Sequence, residues 1–356
     1  MEKKTLNASS IRKIDRSSVL DTLMDFPGHC QAACEIAGKA QILFDRRDFN
    51  QIVFAGVGGS AIGADLVRAY LYFDCTLPIQ VFRDYEMPAC VDSHSLVFIV
   101  SYSGNTEETL SAYRIARQRG ASIISVSSGG TLQSLSRQDE TTFIQVPAGL
   151  PPRSALGYLG VTPLCLLSRL GVIKDVFPEV RSAIAVLCEL RDKNLNPRIG
   201  QKENAAKVLA DKLKGKVAVV CSSSVHFDVA AIRLRCQLNE NSKALAFTAF
   251  IPEATHNEIV GWQNPAKALG QFCVVLLRDN KMHPRVAKRM DIFADIIRQQ
   301  GAGVIEVWSR GEGLLSRILS LIYIGDFASL YLSVLYGVDP GPVDRITFLK
   351  SELSRS

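Results

Sequence analysis

From about residue 50 onward, short runs of β-branched and apolar residues alternate with segments of helical periodicity. That rhythm is the pattern of βαβ units, in which parallel strands are joined by helices. A parallel sheet needs both faces covered, so the chain is expected to be α/β, with doubly wound, flavodoxin-like sheets flanked by helices. In the first half, strands are expected at 51–55, 79–82, 96–100, 122–126 and 142–146, with helices over 61–72, 106–119 and 156–170. The second half repeats the rhythm, with strands near 216–221, 245–247, 272–277 and 304–307 and helices near 227–238 and 284–300. Between them, residues 191–200 turn polar and carry Asn194, Asn196, Pro197 and Gly200, which marks a boundary. The 356 residues suit two such halves, although no residue-level repeat accompanies the shared pattern. The expected layout is a helical segment over 1–45, a first α/β subdomain over 46–190, a second over 191–340, and a C-terminal segment over 341–356.

Composition narrows the function classes. Apolar residues make up 47% of the chain and charged residues 21%, which excludes fibrous and disordered classes. The net charge of +6 comes without a run of five like charges, so no nucleic-acid partner is expected. Nine cysteines are scattered without a Cys-x-x-Cys pair, several inside apolar runs, as in a reduced cytosolic protein. Met1 to Ser10 is polar with no apolar stretch behind it, so the expected location is the cytoplasm. Residues 314–338 are apolar enough to suggest a membrane span. Arg317 and Asp326 interrupt the run, however, and a buried helix with no membrane partner is expected instead.

Two turns carry the chemistry. The first, Gly56-Val57-Gly58-Gly59-Ser60-Ala61, runs from an apolar strand into a helix and gathers backbone N–H groups where an anion can bind. It lacks a P-loop lysine. It satisfies a dinucleotide pattern loosely as Gly56-x-Gly58-x-x-Ala61, with Arg83 at the end of the next strand. The second turn, Ser101-Tyr102-Ser103-Gly104-Asn105-Thr106-Glu107-Glu108-Thr109, follows the third strand and decides against a nicotinamide site. Ser101, Ser103 and Thr106 place three hydroxyls on one strand-to-helix turn, where each can donate to a phosphate oxygen. Helix capping accounts for one hydroxyl but not for three.

The two turns together resemble sugar isomerase (SIS) domains, which bind phosphosugars through a serine- and threonine-rich turn. Farther on, Pro151-Pro152-Arg153-Ser154-Ala155-Leu156-Gly157, Gln237-Leu238-Asn239-Glu240-Asn241-Ser242-Lys243 and His256-Asn257-Glu258-Ile259-Val260-Gly261-Trp262 resemble the bifunctional phosphoglucose/phosphomannose isomerase family. The resemblance implies two SIS subdomains. It also implies an aldose-ketose isomerase joining glucose 6-phosphate and mannose 6-phosphate to fructose 6-phosphate through a cis-enediol, without metal or cofactor. No His/Cys/Asp cluster in the sequence has metal-ligand spacing.

The family's catalytic base falls on Glu240, and one carboxylate able to reach C1 and C2 is what the reaction needs. His256 matches the group that moves a proton during ring opening, a task suited to an imidazole. In the family this histidine comes from the neighbouring subunit, so a homodimer is implied. Arg153 is implied to steady the enediolate, and Lys350 in Asp344-Arg345-Ile346-Thr347-Phe348-Leu349-Lys350 to reach back to the ring oxygen. Gly58, Gly59, Ser60, Ser101, Ser103 and Thr106 are implied to hold the phosphorylated hexose. On residue type alone, Glu240 is equally a solvated helix-end carboxylate and Lys350 a solvated terminal amine. A non-catalytic phosphosugar-binding regulator and a different SIS isomerase are the alternatives.

Overall fold

The computed structural model describes residues 6–44, 48–353 and 355. Residues 1–5 and 45–47, where the expected N-terminal segment begins and gives way to the first subdomain, lie outside the described residues, as do 354 and 356. The chain forms two compact units. One contains residues 25–44, 48–186 and Gly311–Ser316, and the other contains residues 6–24, 187–310 and 317–353.

In the first unit, strands β1 (Gln51–Ala55), β2 (Ile79–Phe82), β3 (Ser95–Val100), β4 (Ser122–Ser127) and β5 (Thr142–Gln145) form one sheet. Their order is β2-β1-β3-β4-β5, all parallel, the doubly wound order in which ligands sit where β1 and β3 diverge. β1, β3 and β4 are buried at every residue because helices cover both faces. Val53, Val97, Ile99 and Ile123 pack one face against Leu110, Tyr113 and Leu132.

The expected helix at 156–170 is broken in two. Residues Gly157–Val161 form a wide π turn and Thr162–Arg169 continue as α-helix. Pro163 has no N–H to offer the Leu159 carbonyl one turn back, and the chain widens there. Helices at Gly130–Gln138 and Phe177–Leu190 also belong to the structure, although the strand-and-helix rhythm alone does not assign them.

In the second unit, strands β6 (Val217–Ser223), β7 (Ala246–Ile251), β8 (Phe272–Arg278) and β9 (Gly303–Trp308) are parallel in the order β7-β6-β8-β9. Cys221, Val274 and Leu276 pack on Met290, Phe293 and Ile297 of helix Pro284–Gln299. Helix Ala205–Leu213, likewise unassigned by the rhythm, precedes β6 and is capped by Asn204, whose side chain accepts from the Ala206 and Lys207 N–H groups.

The apolar stretch near the C-terminus is one helix, Leu314–Tyr336, buried at every residue from Ile318 to Leu335. Both charges that interrupt it are paired within the second unit. Arg317 lies 3.0 Å from Asp279, and Asp326 receives Arg233 Nε and Nη2 at 2.7–3.1 Å. A buried charge survives only with such a partner.

Candidate active site

The first unit gathers seven of the ten sequence-predicted residues at the carboxyl ends of β1 and β3. Gly58 precedes helix Gly59–Leu71 with φ +58°, a conformation open to glycine at little cost. A Cβ on Gly59 would stand 2.8 Å from the Pro152 carbonyl group and 3.0 Å from the Arg153 nitrogen, so the helix start lies flush against the turn Pro152–Ser154. Arg153 is buried on that turn, which Ser154 N and Ala155 N close by bonding the Pro151 and Pro152 carbonyls at 2.8 and 3.2 Å.

The hydroxyl turn joins the same place. Tyr102 N donates to Ser60 Oγ at 3.2 Å, which links the glycine turn to the serine turn. Ser101 Oγ donates to Thr106 Oγ1 at 3.0 Å and accepts from Gly104 N at 3.1 Å. Thr106 occupies the N-cap position of helix Glu107–Gln118, yet its side chain makes no capping bond. Ser103 is exposed, and its Oγ accepts from Asn105 N at 3.3 Å. Ser60 and Ser101 are buried. The arrangement presents a hydroxyl cluster beside a helix start and a buried guanidinium, a combination suited to a phosphate dianion and to an adjacent developing negative charge.

Two contributors escape a reading by motif. Tyr102 has the composition of a core aromatic, yet its phenol donates to the Pro147 carbonyl at 2.8 Å and accepts from Leu150 N at 3.0 Å. It ties the serine turn to the stretch that leads into Pro151–Arg153, and burial pushes its phenol up, which keeps it a donor. The Ser127-Ser128-Gly129-Gly130-Thr131 turn after β4 is the second. Ser128 N and Oγ donate to the Tyr102 carbonyl, and Thr131 N and Oγ1 donate to Asn105 Oδ1. Gly104, at φ +71°, admits no side chain because a Cβ would collide with the Gly129 carbonyl. The hydroxyl-rich composition of 127–131 was the available signal. Arg83, the residue a 2′-phosphate would need, is instead ion-paired with Asp65 of helix Gly59–Leu71.

The remaining three residues belong to the second unit and stand on three different elements. Glu240 ends helix Asp228–Glu240 and is half-buried. That end is fastened to helix Leu314–Tyr336 by the Arg233–Asp326 pair, by Asn241 Nδ2 donating to Ser329 Oγ at 2.9 Å and by Ser242 Oγ donating to the Ser329 carbonyl at 2.7 Å. Lys243 Nζ donates to the Glu240 and Asp339 carbonyls at 2.8 and 2.9 Å, which joins the helix end to the root of the C-terminal segment. Lys350 is on the following helix, Asp344–Leu353, and is exposed. His256 is exposed in the turn after β7, where its N–H bonds the Glu253 carbonyl at 2.8 Å.

Topology sets Glu240 and His256 apart. A helix that returns from the carboxyl end of β6 finishes at the amino edge of the sheet, beside the start of β7, whereas His256 follows the carboxyl end of β7. The six residues of β7 intervene, and a strand of that length spans about 17–20 Å.

The chain resembles known proteins along most of its length. The SIS domain matches residues 47–149, and the bacterial phospho-glucose isomerase C-terminal SIS domain matches 202–353. The bifunctional phosphoglucose/phosphomannose isomerase of Caldicellulosiruptor bescii is 41% identical over 336 residues, covering 94% of this chain and 99% of its own. The chain belongs to the bifunctional phosphoglucose/phosphomannose isomerase family. Another relative in that family, from Aquifex aeolicus, is 35% identical and covers 87% of this chain and 92% of its own. Among solved structures, a hypothetical protein from Thermus thermophilus superposes with a TM-score of 0.71 at 15% identity, covering 95% of this chain and 90% of that one, which shows a shared fold.

Proposed function

We propose that the protein interconverts glucose 6-phosphate and mannose 6-phosphate with fructose 6-phosphate through a cis-enediol. The observation that carries this function is the hydroxyl turn at the end of β3, bonded to Ser60 and set beside the Arg153 turn, in a chain of this family. Ser60, Ser101, Ser103 and Thr106 hold the phosphate, with the backbone at Gly58 and Gly59 close to the sugar. Arg153 balances charge on the enediolate oxygens. Glu240 takes the C2 proton of the aldose and returns it to C1. His256 and Lys350 move the proton that opens the ring. The enediol has no stereocentre at C2, so both aldoses reach the same intermediate and one base serves both.

The site is completed by a second copy of the chain. Glu240 and His256 at opposite ends of the second sheet cannot meet on one sugar within that unit, which supports a homodimer that lends His256 across its interface. Helix Asp344–Leu353 has no buried residue and exposes Phe348 by 67% and Leu349 by 57%, an apolar surface suited to such a partner. The proposed location is the cytoplasm, where the thiols stay reduced.

The test is conversion of fructose 6-phosphate by metal-free protein, resolving the two aldose products, with Glu240→Gln beside it. Both aldoses are expected, and the variant should lose roughly 10²-fold or more in kcat. Sugar-phosphate binding without conversion would assign the protein to the regulators instead.

A further inference from the structure

Helix Phe26–Lys39 and helix Thr162–Arg169 of the first unit carry two thiols that no step above uses. Cys34 Sγ and Cys165 Sγ are 3.4 Å apart, although 131 residues separate them in sequence. Neither is bridged, and both are buried, Cys165 fully and Cys34 to 9% exposure. The two helices are held together independently of the sulfurs. Arg169 Nη1 donates to the Ala37 and Ala40 carbonyls at 2.5 and 2.8 Å, and the π turn that leads into the second helix lies flush against the first, since a Cβ on Gly157 would stand 2.9 Å from the His29 Cβ. The fold therefore already holds the two sulfurs 3.4 Å apart, and a cystine requires them to close to about 2.05 Å.

We propose that Cys34 and Cys165 form a peroxide-reactive dithiol whose oxidation fastens helix Phe26–Lys39 to helix Thr162–Arg169 through an intramolecular cystine. Cys34 is the attacking thiol. The Cys165 hydrogen bond and the Arg181 charge draw its pKa down against desolvation, whereas hydrogen bonding to Cys34 and burial push Cys165 up. The Cys34 sulfur attacks one oxygen of the peroxide, the O–O bond breaks, and Cys34 becomes a sulfenic acid with release of water. The Cys165 sulfur then attacks the Cys34 sulfur, the S–O bond breaks, and the sulfenic hydroxyl leaves with the Cys165 thiol proton as a second water. In total, two thiols lose two electrons and one hydrogen peroxide is reduced to two waters.

The experiment treats the full-length protein with hydrogen peroxide and maps its peptides without reduction. One cross-linked peptide pair, Cys34 with Cys165 and lighter by two hydrogens, is expected, together with the loss of two of the nine thiols titratable after denaturation. Cys165→Ser is expected to leave Cys34 as a sulfenic acid that dimedone traps, and Cys34→Ser to leave Cys165 reduced. The oxidised wild type is expected to melt about 5 °C higher than the reduced protein, a gain that dithiothreitol reverses, because a cross-link closing so long a loop restricts the unfolded chain. Nine thiols surviving peroxide, a bridge to Cys30 one helical turn away, or a bridge that leaves Tm unchanged would each overturn the proposal.

Discussion

The two sheet units share an architecture but distribute the proposed site residues in opposite ways. In the first, the carboxyl ends of β1, β3 and β4 are drawn into one polar network, in which Tyr102 touches Ser60, Ser128, Pro147 and Leu150. In the second, Glu240 and His256 stand at opposite ends of β7, and Glu240 owes its position to the buried contacts of its helix. A phosphate is held by many donors in one rigid place, whereas a proton is moved by a few groups that must arrive from different directions. Neighbouring βα turns of one sheet satisfy the first requirement. The second requirement is the reason a second copy is proposed.

Breaking the Arg233–Asp326 pair is expected to have the largest effect on this contrast. Asp326→Asn leaves a buried guanidinium without its charge partner, and loss of about 3–5 kcal/mol in a chemical denaturation curve is expected. The double variant Arg233→Met with Asp326→Leu should recover most of that loss, because it leaves no unpaired charge. Equal losses in single and double variants would show that packing, and not the pair, holds the Glu240 helix.

A smaller effect is expected in the phosphate network. Ser101→Ala with Thr106→Ala removes two donors to a dianion, and a fall of roughly 10- to 100-fold in kcat/KM, expressed mainly in KM, is expected from steady-state kinetics. A fall in kcat at constant KM would place these hydroxyls with the chemistry and erase the distinction between the units.

The smallest effect separates the units by acid. Burial holds His29 of the first unit below its ordinary value of about 6.5, against a weaker opposing pull from Asp25, and its Nδ1 is buried without a hydrogen-bond partner. Folding therefore favours the neutral ring. Its contribution is complete above pH ~6.5 and is lost as pH falls through that value toward the folded-state pKa. His29→Gln is expected to flatten the stability profile in that window, measured by thermal melting from pH 7.5 down to about pH 5.

Much of the fold was legible because strand chemistry was strong and local. β1 and β2 fall at the expected residues, and β3 and β4 differ by one residue at an end, since runs such as Ile52-Val53-Phe54 have few other places to go. β7 runs to Ile251, beyond the expected 247, because an edge strand with exposed Phe247 shows no sustained apolar run. Helix Gly130–Gln138 was not legible because it buries little beyond Leu132 and Ser136. At the proposed site, the three hydroxyls after β3 could be read as anion donors from residue type. Tyr102 did not, since its role comes from partners 42 to 48 residues away in sequence. Glu240 and His256 were recognisable only through family resemblance, because a carboxylate ending a helix and an imidazole in a turn look alike whether or not they act.

The most direct test of a site shared between two copies is to mix Glu240→Gln protein with His256→Ala protein after dissociation and measure isomerase activity on reassociation. Each parent should be nearly inactive. In a mixed dimer one site carries both substitutions and the other carries neither, so recovery of about a quarter of wild-type activity is predicted at random assortment. No recovery, with mixed dimers demonstrably formed, would contradict the shared site and place Glu240 and His256 in separate tasks.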